Sequence, residues 1–148
     1  MYGDFQCPYT QAAHRIVGRI RDQLAGRLLF GFRHFPLREV HPDAQLAAEA
    51  AEAAAAQGAF WQMYDRLFEA RGVLGREDLV AYATELGLDA DRVAAELDAS
   101  AHAGRVQRDL DSGVASGVQG TPGLFVGGRF YGGSYEGSSL IIALETSS

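Results

Sequence analysis

The chain has 148 residues, 47% hydrophobic, 22% charged and 10% aromatic, enough for one domain whose core needs no covalent staple. All 13 basic residues are arginine, and the net charge of -6 argues against a nucleic-acid partner, because phosphate binding needs a concentrated basic surface. No apolar run approaches the roughly 20 residues that cross a bilayer, which argues against membrane insertion, and a single cysteine excludes an internal disulfide.

The first predicted element is a helix. Pro8 suits the first helical position, which leaves Cys7 at the cap. Tyr9, Ala12, Ala13, Ile16, Val17, Ile20 and Leu24 then share one face, with Gly26 as the stop. Leu28 to Phe35 reads as a strand closed by Pro36. From about His41 to Ser116 the pattern is helical throughout. Pro42 and Asp43 open an alanine-rich helix that runs to about Gln57. A second, from Phe60 to Ala70, points Phe60, Trp61, Tyr64, Leu67 and Phe68 into a core. Glu77 and Asp78 open a third, which stops at Gly87; a fourth starts near Asp89, runs through Val93, Leu97, Val106 and Leu110, and breaks near Gly104. Leu124-Phe125-Val126 and Arg129-Phe130-Tyr131 flank Gly127-Gly128, the pattern of a tight hairpin whose turn needs positive φ. Ser138 is placed to cap a last helix containing Leu140, Ile141, Ile142 and Leu144. The order helix, strand, helical block, strand, strand, helix predicts an α/β sheet domain with an all-helical insertion.

Candidate chemistry centres on Cys7. At a helix N-terminus, unpaired backbone N–H groups and the helix dipole favour a negative charge, the setting in which thiols become nucleophiles. The plainer alternative is a small buried hydrophobe, the usual fate of a lone cysteine. Gly120-Thr121-Pro122 on its own reads as a turn. His14 follows Cys7 by seven residues, about 10 Å along the axis, too far for a base and better read as a solvated or capping histidine. His34, His41 and His102 lack the paired spacing of metal ligands, so no metal is predicted.

Taken in order, Asp4-Phe5-Gln6-Cys7-Pro8-Tyr9-Thr10, His34-Phe35-Pro36-Leu37, Gly58-Ala59-Phe60-Trp61 and Gly117-Val118-Gln119-Gly120-Thr121-Pro122 resemble the DsbA-like branch of the thioredoxin superfamily. That group includes small bacterial oxidoreductases and thioredoxin-like tail domains of some sodium/proton antiporters. The resemblance covers essentially the whole chain. It implies one thioredoxin-like domain, with its core in residues 1–40 and 117–148 and its helical insertion in residues 41–116. It also implies that Cys7 is the attacking cysteine, that Pro8 and Tyr9 are the dipeptide that tunes it, and that Thr121-Pro122 is a cis-proline segment that receives a substrate peptide.

Two departures from the family pattern bear on function. Thr10 stands where the family has a resolving cysteine, and a hydroxyl forms no disulfide; it is left to donate a hydrogen bond to the Cys7 sulfur. Only Met1-Tyr2-Gly3 precede Asp4, too little for the strand that the family places before its motif. That strand is therefore read as missing or truncated, with a strand lent by a second copy, and so a homodimer, as one compensation.

The resulting expectation is a monothiol thiol-disulfide oxidoreductase or isomerase. Its partners are protein or peptide thiols and disulfides, and glutathione or another small thiol serves as co-substrate and resolves the intermediate. One alternative is a redox-inactive binding or regulatory module, and another a glutathione-binding transferase- or isomerase-like protein. As the sequence stands it reads as cytoplasmic, and as extracytoplasmic if an export segment precedes it.

Overall fold

The computed structural model describes residues 1–147. In chain order the elements are β1 (Tyr2–Gly3), α1 (Pro8–Gln23), β2 (Arg33–His34), α2 (Ala44–Ala55), α3 (Phe60–Glu69), α4 (Arg76–Glu85), α5 (Ala90–Asp98), α6 (Ala103–Ala115), β3 (Phe125–Val126), β4 (Arg129–Phe130) and α7 (Ser139–Thr146). This is a helix-rich α/β fold of the thioredoxin-like, DsbA type, with α2 to α6 inserted between β2 and β3.

The expectation that Met1-Tyr2-Gly3 is too short for a strand is overturned. Tyr2 and Gly3 form β1, which lies parallel to β2 with Tyr2 opposite Arg33 and Gly3 opposite His34. On its other side Tyr2 exchanges two backbone hydrogen bonds with Gly123, of 2.7 and 2.9 Å. Two residues suffice because both edges of β1 are paired, so no backbone group of Tyr2 is left without a partner. The ladder continues to the first nitrogen: the Met1 ammonium donates to the Gly31 carbonyl at 2.8 Å, and Arg33 N donates to Met1 O at 2.9 Å. Beyond Met1 an apolar recess of about 80 Å³ opens between Leu28–Gly31 and Leu124–Val126. The strand predicted over Leu28–Phe35 is confined to Arg33–His34. Leu28 to Phe30 line this recess, and Leu29 stands 98% exposed.

Gly3 is required by close approach. A Cβ there would lie 2.5 Å from a Phe32 ring carbon and 2.8 Å from the Thr10 methyl. Phe5, next in line, leaves the sheet and enters the helical block, with its ring 4.8 Å from that of Phe68 and 5.3 Å from that of Phe32. The main core gathers around these rings from Met63, Tyr64 and Leu67 of α3 and the alanine face of α2, whose small side chains let neighbouring helices pack closely. A second core joins Ile20 and Leu24 to Leu124 and Leu140.

Elsewhere the structure differs from the sequence reading in detail. The predicted fourth helix is two, α5 and α6, and the break falls at residues 99–102, where Ser100 has φ +50, rather than at Gly104. Gly127 and Gly128 both take positive φ between β3 and β4, the hairpin geometry their sequence predicts. Ser138 sits at the N-cap of α7, but its side chain makes no capping bond. Trp61 is a rim residue rather than core, with Arg21 5.0 Å from its ring.

Candidate active site

Cys7 occupies the N-cap of α1 in an extended conformation, with Pro8 opening the helix. Its backbone N–H is shared between the main-chain oxygen and Oδ1 of Asp4, both at 3.1 Å, and its carbonyl accepts from Gln11 N at 3.0 Å. The Sγ atom donates to the Thr121 carbonyl at 3.6 Å. The peptide bond between Thr121 and Pro122 is cis. The pairing of Tyr2 with Gly123 brings these distant segments together, since it docks the chain after Pro122 beside the strand that leads into the Cys7 turn. Cys7 is nearly covered, at 2% exposure, while Pro8 and Tyr9 beside it are exposed.

Two expectations for this segment are corrected. Tyr9 does not join the inward face of α1; it is 76% exposed, and Thr10 takes the inward position. Thr10 makes no hydrogen bond to the sulfur. It is fully buried, its methyl lies against Gly3, and its Oγ1 has no partner among the described residues. The Thr121 hydroxyl is likewise buried and has no partner among them.

Asp4 is the hub of the site, and the sequence reading gave it no role. Its Oδ1 accepts from Gln6 N at 2.8 Å and from Cys7 N, and its Oδ2 accepts from Leu37 N at 2.9 Å and His41 Nδ1 at 2.8 Å. An aspartate that captures the amides two and three residues ahead is a local turn former. Its spacing before Cys7 was therefore a legible signal. The bonds to Leu37 and His41 are tertiary and left no such mark.

The remaining histidines serve packing. His14 is neither solvated nor capping: its Nε2 donates to Asp65 Oδ1 at 3.0 Å and its ring stacks on Phe68 at 4.6 Å, bridging α1 to α3. Buried His34 meets Glu52 at 3.1 Å, and its main-chain N–H reaches Asp109 at 2.9 Å. Burial pushes the Glu52 carboxyl up, but the His34 hydrogen bond and the charges of His34, Arg105 and His102 outweigh it and hold the group below its ordinary value. His102 pairs with Glu96 at 2.6 Å. Among the described residues no cluster of three or more histidine, cysteine or acidic side chains is arranged to hold a metal.

A helix-capping cysteine facing a cis-proline segment across a thioredoxin-like sheet defines a class. The family model of the DSBA-like thioredoxin domain matches residues 1–140, and the chain belongs to that family. The chain is 44% identical over 145 residues to part of the Na(+)/H(+) antiporter NhaA 1 of Salinispora arenicola, a match that takes in 98% of this chain and 22% of that protein. It is equally similar, over 146 residues, to part of the Na(+)/H(+) antiporter NhaA of Herminiimonas arsenicoxydans, covering 99% of this chain and 23% of that one. The chain thus spans less than a quarter of the length of these relatives. Among solved structures it resembles BdbD from Bacillus subtilis, with a TM-score of 0.89 at 20% identity, covering 99% of this chain and 84% of BdbD. MdbA, a thiol-disulfide oxidoreductase from Corynebacterium diphtheriae, gives 0.76 at 18% identity, covering 99% and 80%. At these identities the structural likeness establishes the fold.

Proposed function

We propose that the protein carries out thiol-disulfide exchange through Cys7 as its only sulfur nucleophile. The observation that supports this most is the meeting of Cys7, at the head of α1, with the Thr121 carbonyl, which lies 3.6 Å from Sγ beside Pro122. The helix N-terminus favours a thiolate, and the main chain around Thr121 supplies an edge along which an extended substrate can lie. The Cys7 thiolate attacks one sulfur of a substrate disulfide, forming a Cys7–substrate disulfide and releasing the other sulfur as a thiolate. Thr10 has no sulfur with which to break that bond. A second thiolate, from glutathione or another small thiol, attacks the substrate sulfur, forms a new disulfide with it and returns Cys7 as thiolate. Electrons balance at each exchange, and net oxidation of substrates by this chain alone is not part of the scheme.

Trapping tests the proposal. Incubation with a disulfide-bearing peptide is expected to give a mixed disulfide seen by intact-mass measurement, absent in Cys7→Ser and discharged by added glutathione. A Cys7 that forms no adduct over hours at pH 7–8 would sink it. A second reading, a binding module without redox turnover, is favoured by one observation: the similar regions of the NhaA antiporters make up less than a quarter of proteins whose names describe ion exchange. Under that reading Cys7→Ser leaves binding to such a membrane protein intact.

A further inference from the structure

We propose that the buried Asp4–His41 pair is a positioning device that sets how readily Cys7 ionises. Asp4 acts by holding the Cys7 backbone and by its charge, and His41 by tempering that charge. The inference deepens the exchange reading above and rests on it.

The Asp4 side chain has no exposed surface, yet its four donors leave its carboxylate fully satisfied. Three of those donors are backbone amides, which weld the Cys7 turn to the segment after β2. One consequence is geometric: the N-cap residue cannot swing away from Thr121 without breaking a buried hydrogen bond. The other is electrostatic. The carboxylate lies one backbone amide from the residue that bears the sulfur, so its negative charge works against a second negative charge on Sγ. The N-terminus of α1 acts in the opposite sense.

Among the described residues His41 is the only side chain bonded to Asp4. Facing a carboxylate oxygen at 2.8 Å, its Nδ1 is the donor, and at 19% side-chain exposure its ring links the buried carboxylate to solvent. Donation draws charge away from Asp4 and so relieves Cys7. Other charged neighbours are engaged elsewhere. Arg38 donates to Gln45 and Gln107 at 2.7 and 2.9 Å, and Glu49 accepts from Gln45 at 3.1 Å. Gln6 holds the Asp43 backbone at 2.8 Å, and Glu39 lies exposed in the turn between β2 and α2.

The pH profile of Cys7 alkylation by iodoacetamide, read from pH 4 to 10, tests the idea in the full chain. Asp4→Asn is expected to move the midpoint down by about one pH unit, roughly a tenfold faster reaction below it. His41→Phe is expected to move it up. Looser packing alone would change accessibility in both variants without driving the midpoints apart. Should Asp4→Asn fail to fold, His41→Phe at the rim decides by itself. A Cys7 that titrates with its midpoint unmoved in folded His41→Phe overturns this inference and leaves the exchange reading standing. Opposed shifts without any mixed disulfide do the reverse.

Discussion

At the scale of single residues the decisive position is Thr10. It is fully buried, and its hydroxyl has no hydrogen-bond partner among the described residues, an arrangement that costs about 1–3 kcal/mol relative to a satisfied or apolar group. Replacing it by a residue of similar size is therefore inexpensive. Reduced Thr10→Cys is expected to unfold at a temperature no lower than the parent. On oxidation it should close a disulfide with Cys7 three residues earlier, detected as loss of two hydrogens in intact mass. Exchange would then release its product without added small thiol, because the second sulfur attacks the mixed disulfide. A variant that folds, oxidises and still needs external thiol would show that the substrate bond lies beyond reach of position 10.

At the scale of elements the critical one is β1, two residues that join β2 to the segment after Pro122. Gly3 within it faces the Phe32 ring and the Thr10 methyl so closely that a Cβ would overlap both. Gly3→Ala is expected to destabilise by about 1–3 kcal/mol, the usual range for overpacking, measured by denaturant unfolding. It should also speed labelling of Cys7 as Thr10 is displaced. Much of this architecture was legible in the sequence. The helix start at Pro8, the glycine pair of the hairpin and the acidic starts of α4 and α5 each follow from local chemistry, as when Asp89 Oδ1 accepts from Arg92 N at 3.0 Å. What escaped depends on partners remote in the chain. Local pattern made Leu28–Phe35 a full strand, but the pairing with β1 covers only Arg33–His34. The outward turn of Tyr9 and the inward one of Thr10 were hidden for a related reason: hydrophobicity ranks them the wrong way round, while the crowding of Gly3 and Phe32 admits only the smaller side chain.

For the molecule as a whole, β1 gives stability a measurable pH dependence. The Met1 ammonium sits at the end of the sheet ladder, and burial, with the Arg33 charge adding to it, lowers its pKa from 8.0 to about 6. A base depressed on folding is neutral in the native chain over a range where the unfolded chain still binds a proton. Stability from this group is thus fully present above about pH 8 and is lost as pH falls toward 6. A shift of this size corresponds to about 2 kcal/mol, allowing for partial solvent contact. Other ionisable groups contribute to the same stability curve. Comparison with the Nα-acetylated protein separates the terms, because acetylation removes the charge but keeps an N–H to donate to the Gly31 carbonyl. The acetylated form is expected to be more stable at pH 6 by about that amount and equal above pH 8.5. A difference that does not change between the two pH values would mean that the ammonium is solvated as well in the folded sheet as in the open chain.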